Sequence, residues 1–112
     1  MEKPEPNRAS LHNLIDKQSL LLLAGITIYQ RGAHYQQLGA VLDLCNHHHN
    51  LTATVAGSDY KEYQVQLWNA EGKLASACSC PMGQRSVPCK HVVAAGLAWL
   101  HQQDKSQPGR WG

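Results

Sequence analysis

The sequence predicts a single α+β domain, with helices at the N-terminus, an antiparallel meander of three or four strands, and a closing helix at the C-terminus. Apolar residues recur at helical spacing as far as Gly39, alternate with polar residues from Val41 to Cys80, and return to helical spacing after Pro88. With 112 residues, of which 43% are hydrophobic and 16% charged, the chain has the length and composition of one globular domain.

The first helical segment is predicted between Ser10 and Gly25. Its apolar pattern is interrupted at residues 16–19, so we expect a break in the helix there. Ser10 is suited to cap the first turn, and Gly25 is suited to end the segment. The apolar stripe consists of Leu11, Leu14, Ile15, Leu21 and Leu22.

A second helix is predicted from about Thr27 to Gly39. Gly32 lies in its middle, where glycine costs about 1 kcal/mol relative to alanine. We therefore expect a close packing contact at Gly32, and a tolerated defect is the alternative. The apolar face consists of Ile28, Gly32, Tyr35 and Leu38.

The period of the pattern then changes to two, which is typical of strands with one buried and one polar face. A polar stretch at residues 46–50 and a turn at residues 69–72 separate these segments. The strands are expected at residues 41–44, 51–55, 63–67 and 73–80.

The last element is a helix predicted from Pro88 to Gln102. Residues 1–9 and 103–112 are predicted to be flexible tails around a single domain of residues 10–102. The face of the helix that is expected to pack on the sheet consists of Val92, Val93, Gly96, Leu97 and Leu100.

The sequence gives no indication of secretion or membrane insertion. The N-terminus lacks the pattern of a signal peptide, and the longest apolar run, residues 20–24, is far too short to span a bilayer. We therefore expect an intracellular, cytoplasmic protein with no membrane partner. The net charge of +2 says almost nothing about nucleic-acid binding, because only a local patch could support it.

The most informative stretch carries three of the four cysteines within 14 residues, in the pattern Cys-x-Cys, eight residues, Cys-x-His. The four residues are Cys78, Cys80, Cys89 and His91. In a reducing cytosol, cysteines that cluster with histidine indicate metal ligands rather than disulfides.

The spacing of each pair has a geometric explanation. In a strand, residues two apart lie on the same face, about 6.6 Å from each other. Their side chains can bring two sulfurs to the roughly 3.8 Å that separates sulfur ligands on zinc. In a helix interior, residues two apart lie about 200° apart around the axis. Cys89 is therefore expected at or before the first helical turn, with His91 just inside it. Pro88 favours a helix start there, where free backbone N–H groups favour a thiolate.

Three alternatives explain the motif less well. A Cys78–Cys80 disulfide would leave Cys89 and His91 without a role. A redox site, with Cys89 as nucleophile and His91 as base, would not need two further ligands. Hydrolytic zinc needs an open coordination position, which three cysteines and one histidine close. The sequence therefore predicts one structural Zn²⁺, closed in by the C-terminal helix, and no enzymatic activity.

This stretch, together with the residues before it, resembles the SWIM zinc-finger family. The resemblance covers about residues 20–102 and implies a zinc module of strands and helices that takes part in DNA or protein interaction. Such modules accompany bacterial Swi/Snf-type ATPases, transposase-like proteins and ubiquitin-ligase-related kinases. This chain has no ATPase, nuclease or kinase segment, so a motor or catalytic role is expected in a partner. The matching residues are 23–25, 31–35, 39–41, 53–58, 63–65, 78–81 and 89–95.

Three cations, Lys73, Arg85 and Lys90, lie in or just before the motif, and no acidic residue lies between Lys73 and His91. They are candidate contacts to nucleic acid, and ordinary solvated charges are the favoured interpretation. The leading function is therefore a recognition module that binds nucleic acid through the loop between the zinc ligands.

The alternative function is an interaction adaptor that docks a helicase- or transposase-type protein, such as a Swi/Snf-type ATPase, through the sheet and first helix. Neither function involves a small-molecule substrate. An exposed apolar patch on residues 11–23 would favour the adaptor. A contiguous face formed by Lys61 and the three cations would favour nucleic acid.

Two further groups of residues invite functional interpretations. Cys45 with His47, His48 and His49 could form a second metal site, but we expect a buried strand cysteine beside a solvated turn. The aromatic side chains could stack on bases, but we expect most of them to be core or half-buried residues. They are Tyr29, Tyr35, Tyr60, Tyr63, Trp68 and Trp99.

Overall fold

The computed structural model describes residues 11–47, 50–57, 61–85 and 87–105, apart from the side chains of residues 12, 13, 104 and 105. The chain forms the predicted α+β fold of N-terminal helices, an antiparallel four-stranded sheet and a C-terminal helix. The elements are α1 (Leu11–Leu14), α2 (Lys17–Ala24), α3 (Ile26–Gln37), β1 (Val41–Asn46), β2 (Asn50–Ala56), β3 (Glu62–Ala70), β4 (Lys73–Cys78), a 3₁₀ turn (Gly83–Arg85) and α4 (Lys90–Lys105).

The first predicted helix is divided where its apolar pattern is interrupted. Asp16 has an extended backbone and its carboxylate accepts a hydrogen bond of 2.7 Å from the backbone N–H of Ser19, which caps α2. Gly25, at φ 86°, separates α2 from α3 in a conformation that favours glycine. The predicted cap Ser10 lies outside the described residues.

Gly32 is the point at which α3 approaches α4 closely. A Cβ atom placed on Gly32 would collide with the side chain of Val93 and would lie 2.8 Å from the carbonyl oxygen of Lys90. The close contact predicted at this glycine is therefore confirmed. It brings α3 against the first turn of α4.

The four strands form one antiparallel sheet in the order β1-β2-β3-β4, which is the predicted meander. Its buried face carries alternate residues of the two central strands. They are Leu51, Ala53 and Val55 of β2, and Val65 and Leu67 of β3. This alternation leaves the opposite face polar, as predicted.

Cys45 is exposed, so the prediction that it is buried is wrong. Val41 pairs with the buried Val55, and strict alternation along β1 would place Cys45 on the same face. A register shift between Val41 and Asp43 changes the alternation. Cys45 consequently pairs with Thr52, on the open face of the sheet.

The final helix, α4, is buried on more than one side. The predicted stripe is too narrow, because residues 91–97 are all buried, including Ala94 and Ala95. The helix packs on the sheet with one side and on α2 and α3 with another. It continues to Lys105, past its predicted end, and residues 1–9 and 106–112 of the predicted tails lie outside the described residues.

No helix within the described ranges combines the length and apolar character that crossing a membrane requires.

Candidate metal centre

The first two ligand positions lie at the end of β4. The strand ends at Cys78, so Cys80 lies in a bend beyond it and not in the strand predicted for residues 73–80. Ser79 holds the bend against β3, because its backbone N–H donates to the carbonyl of Gln64 at 3.0 Å and its Oγ accepts from the N–H of Gln64 at 2.9 Å. The N–H of Gly83 then donates to Cys80 Sγ at 3.3 Å.

The other two ligand positions lie at the start of α4. Cys89 immediately precedes the helix, and its carbonyl accepts the first helical hydrogen bonds, from the N–H groups of Val92 and Val93 at 3.1 and 3.3 Å. His91 is the second residue of the helix. This is the arrangement that the Cys-x-His spacing predicts.

The four predicted ligands form one buried cluster. The three sulfurs and the ligand nitrogen of His91 all lie within 4.8 Å of one another. Nδ1 of His91 is 3.8 Å from Cys78 Sγ and 3.6 Å from Cys89 Sγ. Tetrahedral zinc holds its sulfur ligands about 3.8 Å apart, so the cluster has the size and donor chemistry of a zinc site.

The charge state of the sulfurs also favours a bound cation. A hydrogen bond from the Cys78 thiol lowers the pKa of Cys89 to about 4, and the same contact raises the pKa of Cys78 above its ordinary range. The pair therefore holds a single negative charge between its two sulfurs. A divalent cation offsets the repulsion between two thiolates and allows Cys78 to ionise beside Cys89.

Three thiolates and one imidazole complete a tetrahedral shell and leave no open position for a substrate or reactive water. The cluster is therefore the site of one structural zinc ion. Zinc at this position connects the end of β4 to the start of α4.

Two tyrosines hold the imidazole of His91 in place. The ring of Tyr63 lies 4.8 Å from the imidazole centroid at 41°, and the ring of Tyr35 lies 5.5 Å away at 74°. Both rings are half-buried, as predicted, but their contact with a ligand was not foreseen. Nε2 of His91 is buried and has no hydrogen-bond partner among the described residues.

The cations predicted to contact nucleic acid lie in different places. Arg85 is exposed in the 3₁₀ turn between the ligands, and Lys90 is the first residue of α4, with its Nζ 4.8 Å from the centroid of the Tyr35 ring. Lys73 begins β4, about 17 Å along the strand from Cys78. Lys61 is exposed just before β3.

Arg31 is a further cation near the zinc site that the sequence analysis did not single out. It lies on α3 beside Gly32. Together with Lys90, it borders a cleft between α3 and the loop that carries the zinc ligands. The sequence signal that could have identified Arg31 is its position next to Gly32, where close packing was expected.

The second metal site considered around Cys45 has no counterpart within the described ranges. Cys45 and His47 are exposed there and belong to no group of three or more metal-type side chains. His48 and His49 lie outside those ranges, as does Tyr60.

Residues 63–99 match the family model described as the SWIM zinc finger. The matched segment runs from the start of β3 into α4 and includes all four ligands. No curated protein and no solved structure was found to match the chain. The family match and the buried cluster agree on the same four side chains, and residues 63–99 of this chain form a SWIM zinc finger that binds one structural zinc ion.

Proposed function

We propose that the chain is a recognition module without enzymatic activity of its own, in which zinc holds the loop between Cys80 and Cys89 for contact with nucleic acid. The observation that carries this proposal is the position of Lys90. It lies between the ligands Cys89 and His91, at the start of a helix and over the ring of Tyr35. Its backbone is therefore held by the metal on both sides, while the ammonium group stays near the surface.

The loop itself is ordered by local hydrogen bonds. The N–H of Gln84 donates to the carbonyl of Cys80 at 2.9 Å, and the N–H of Arg85 donates to the carbonyl of Met82 at 3.0 Å. Because zinc fixes both ends and these bonds fix the middle, binding a partner would cost little further backbone entropy. Arg85 is exposed on this ordered turn and is free to meet a polyanion.

The charge of the loop supports contact with phosphate. No acidic residue lies between Lys73 and His91, so Arg85 and Lys90 have no neighbour in the sequence that would neutralise them. Two or three phosphate contacts of this kind give weak binding that falls with salt at a slope of about −0.9 per contact on duplex DNA. The proposed role is therefore to add affinity or position within a larger assembly.

A second candidate is the adaptor that docks a helicase- or transposase-type partner such as a Swi/Snf-type ATPase. The observation that favours it is Leu22, which is 77% exposed in the segment where an exposed apolar patch would favour the adaptor. Leu22 lines a groove with Leu14, Leu23 and Leu74, and Lys73 borders the same groove. Lys73 is thus placed with the apolar groove rather than with Arg85 and Lys90.

The two functions are distinguished by titrating labelled single- and double-stranded oligonucleotides at several salt concentrations. For the nucleic-acid function, Arg85→Ala and Lys90→Ala are each expected to weaken binding and to lower the salt slope by about 0.9 on duplex DNA. Lys17→Ala removes the same charge from α2 and is expected to bind as the wild type does. Equal binding by the wild type and the combined loop variant would favour the adaptor.

A further inference from the structure

An open groove runs along the outer side of α3 and reaches the first residue of α4. Four of its side chains recur every three or four residues on α3, so they share one face of the helix, and all four are exposed. Every side chain that lines the groove can donate a hydrogen bond, none is acidic, and none is a zinc ligand. The lining consists of Thr27, Gln30, Arg31, His34, Tyr35 and Lys90.

The charges near this groove have one sign. The sequence has no acidic residue between Asp16 and Asp43, a stretch that includes all of α2 and α3. Asp43 pairs with Thr54, and Glu62 pairs with Ala56, so both carboxylates belong to the open face of the sheet. The helices α3 and α4 lie on the other side of the sheet, because α4 packs on its buried face and α3 packs on α4. A groove lined by one sign of charge attracts a ligand of the opposite sign.

The zinc centre limits what the loop between the ligands can bind by itself. Three thiolates outweigh the charge of one Zn²⁺, so the loaded centre carries one net negative charge, which offsets part of the charge of Arg85 and Lys90. Arg31 adds a further cation on the neighbouring helix. The close contact at Gly32 sets its distance from Lys90, since that contact holds α3 against the backbone of Lys90.

We infer that the sugar–phosphate backbone of a nucleic acid lies in this groove, with Arg31 and Lys90 holding phosphate oxygens and Gln30 and His34 donating hydrogen bonds. The inference rests on the proposed function and extends the contact from the loop to α3, which precedes the residues that match the zinc-finger family. Residues 27–34 span about 10 Å of helix axis, which is the rise of about three nucleotides in one strand of duplex DNA. Contacts to phosphate fix position without reading sequence.

The test uses labelled oligonucleotides of two unrelated sequences, titrated with the zinc-loaded full chain at several salt concentrations. Arg31→Ala is expected to weaken binding to both sequences by the same factor, about three- to tenfold at low salt, and to lower the salt slope by about 0.9 on duplex DNA. Arg31→Lys keeps the charge and is expected to keep the slope. Lys17→Ala removes an exposed cation outside the groove and is expected to bind as the wild type does.

Amide NMR of the same chain locates the contact. We expect the resonances of residues 27–34 to shift in a saturable way as oligonucleotide is added, and those of Asp43 and Glu62 to stay in place. Unmoved resonances in α3 at saturating oligonucleotide would overturn the inference.

Arg85→Ala separates this inference from the proposed function. If Arg85→Ala weakens binding but Arg31→Ala leaves both affinity and salt slope unchanged, the groove is excluded and the loop function stands. If only Arg31→Ala weakens binding, the groove stands and the loop contact fails. Absence of oligonucleotide binding at low salt would overturn both, including the case in which vesicles of phosphatidylserine, an anionic phosphate surface of another kind, bind the chain instead.

Discussion

Replacing Gly32 with alanine is expected to destabilise the protein, although alanine is the better helix former. The substitution gains about 1 kcal/mol of helix propensity in α3. Against this, the new methyl group would collide with the side chain of Val93 and would lie 2.8 Å from the backbone oxygen of Lys90. Val93 is fully buried and the Lys90 carbonyl belongs to α4, so neither atom can move away by a side-chain rotation alone.

The size of the destabilisation follows from the opposition between the gain in helix propensity and the steric clash. Overpacking by one methyl group costs about 1 to 3 kcal/mol in a dense core, and the cost here lies toward the upper end because α3 and α4 must separate. After the helix gain is subtracted, we expect a net loss of about 1 to 2 kcal/mol, which lowers the melting temperature by about 5 to 15 °C. The same separation is expected to weaken zinc binding, because it displaces the turn that carries Cys89 and His91.

Gly96→Ala provides the matched control on α4. A Cβ atom on Gly96 would meet the methyl groups of Leu20 at 2.8 and 2.9 Å, and its three nearest neighbours include no backbone atom, so a smaller displacement relieves the contact. Both variants are to be compared by thermal and urea unfolding of the zinc-loaded chain, and by competition for zinc with a chromophoric chelator. A Gly32→Ala variant as stable as the wild type, or a greater loss in Gly96→Ala, would refute the argument.

Four further predictions concern the metal and the helix start. Cys89→Ala is expected to lose zinc and to unfold at least the C-terminal half, because structural zinc contributes about 10 to 16 kcal/mol of apparent binding free energy. Full zinc occupancy with unchanged melting would contradict the assignment of Cys89 as a zinc ligand. Cys45→Ser is expected to retain one zinc per chain by atomic absorption, and loss of a second, tightly held metal would show an additional site. Acidification is expected to release zinc, because protons compete for the thiolates and imidazole; a release midpoint unaffected by zinc concentration would oppose this linkage. Asp16→Ala is expected to lower the free energy of unfolding by about 1 kcal/mol through loss of the α2 cap, whereas Asp16→Asn is expected to keep most of it.

The ligands and the order of elements were predictable because their signals are local. The Cys-x-Cys and Cys-x-His spacings each concern residues two apart, and the helix starts around them follow from backbone geometry. The break before α2 was visible because the apolar pattern is interrupted at residues 16–19, whereas the cap that Asp16 provides was not foreseen.

The misassigned features depend on contacts that sequence spacing does not encode. A single irregularity between Val41 and Asp43 decides which face Cys45 occupies, and no residue type in β1 marks it. The burial of α4 on several sides depends on where α3 packs. Arg31 and Lys90 border one cleft through the same packing, since they are far apart in the sequence and lie on two helices that pack closely at Gly32.

The exposure of Cys45 makes the thiol count of the protein a measure of its zinc content. Cys45 is accessible on the edge strand, whereas Cys78, Cys80 and Cys89 are buried in the metal cluster. An alkylating reagent would therefore label one thiol in the zinc-loaded protein and all four after chelation and unfolding. Mass spectrometry of an alkylated sample would therefore report the fraction of protein molecules that carry zinc, without a metal-specific dye.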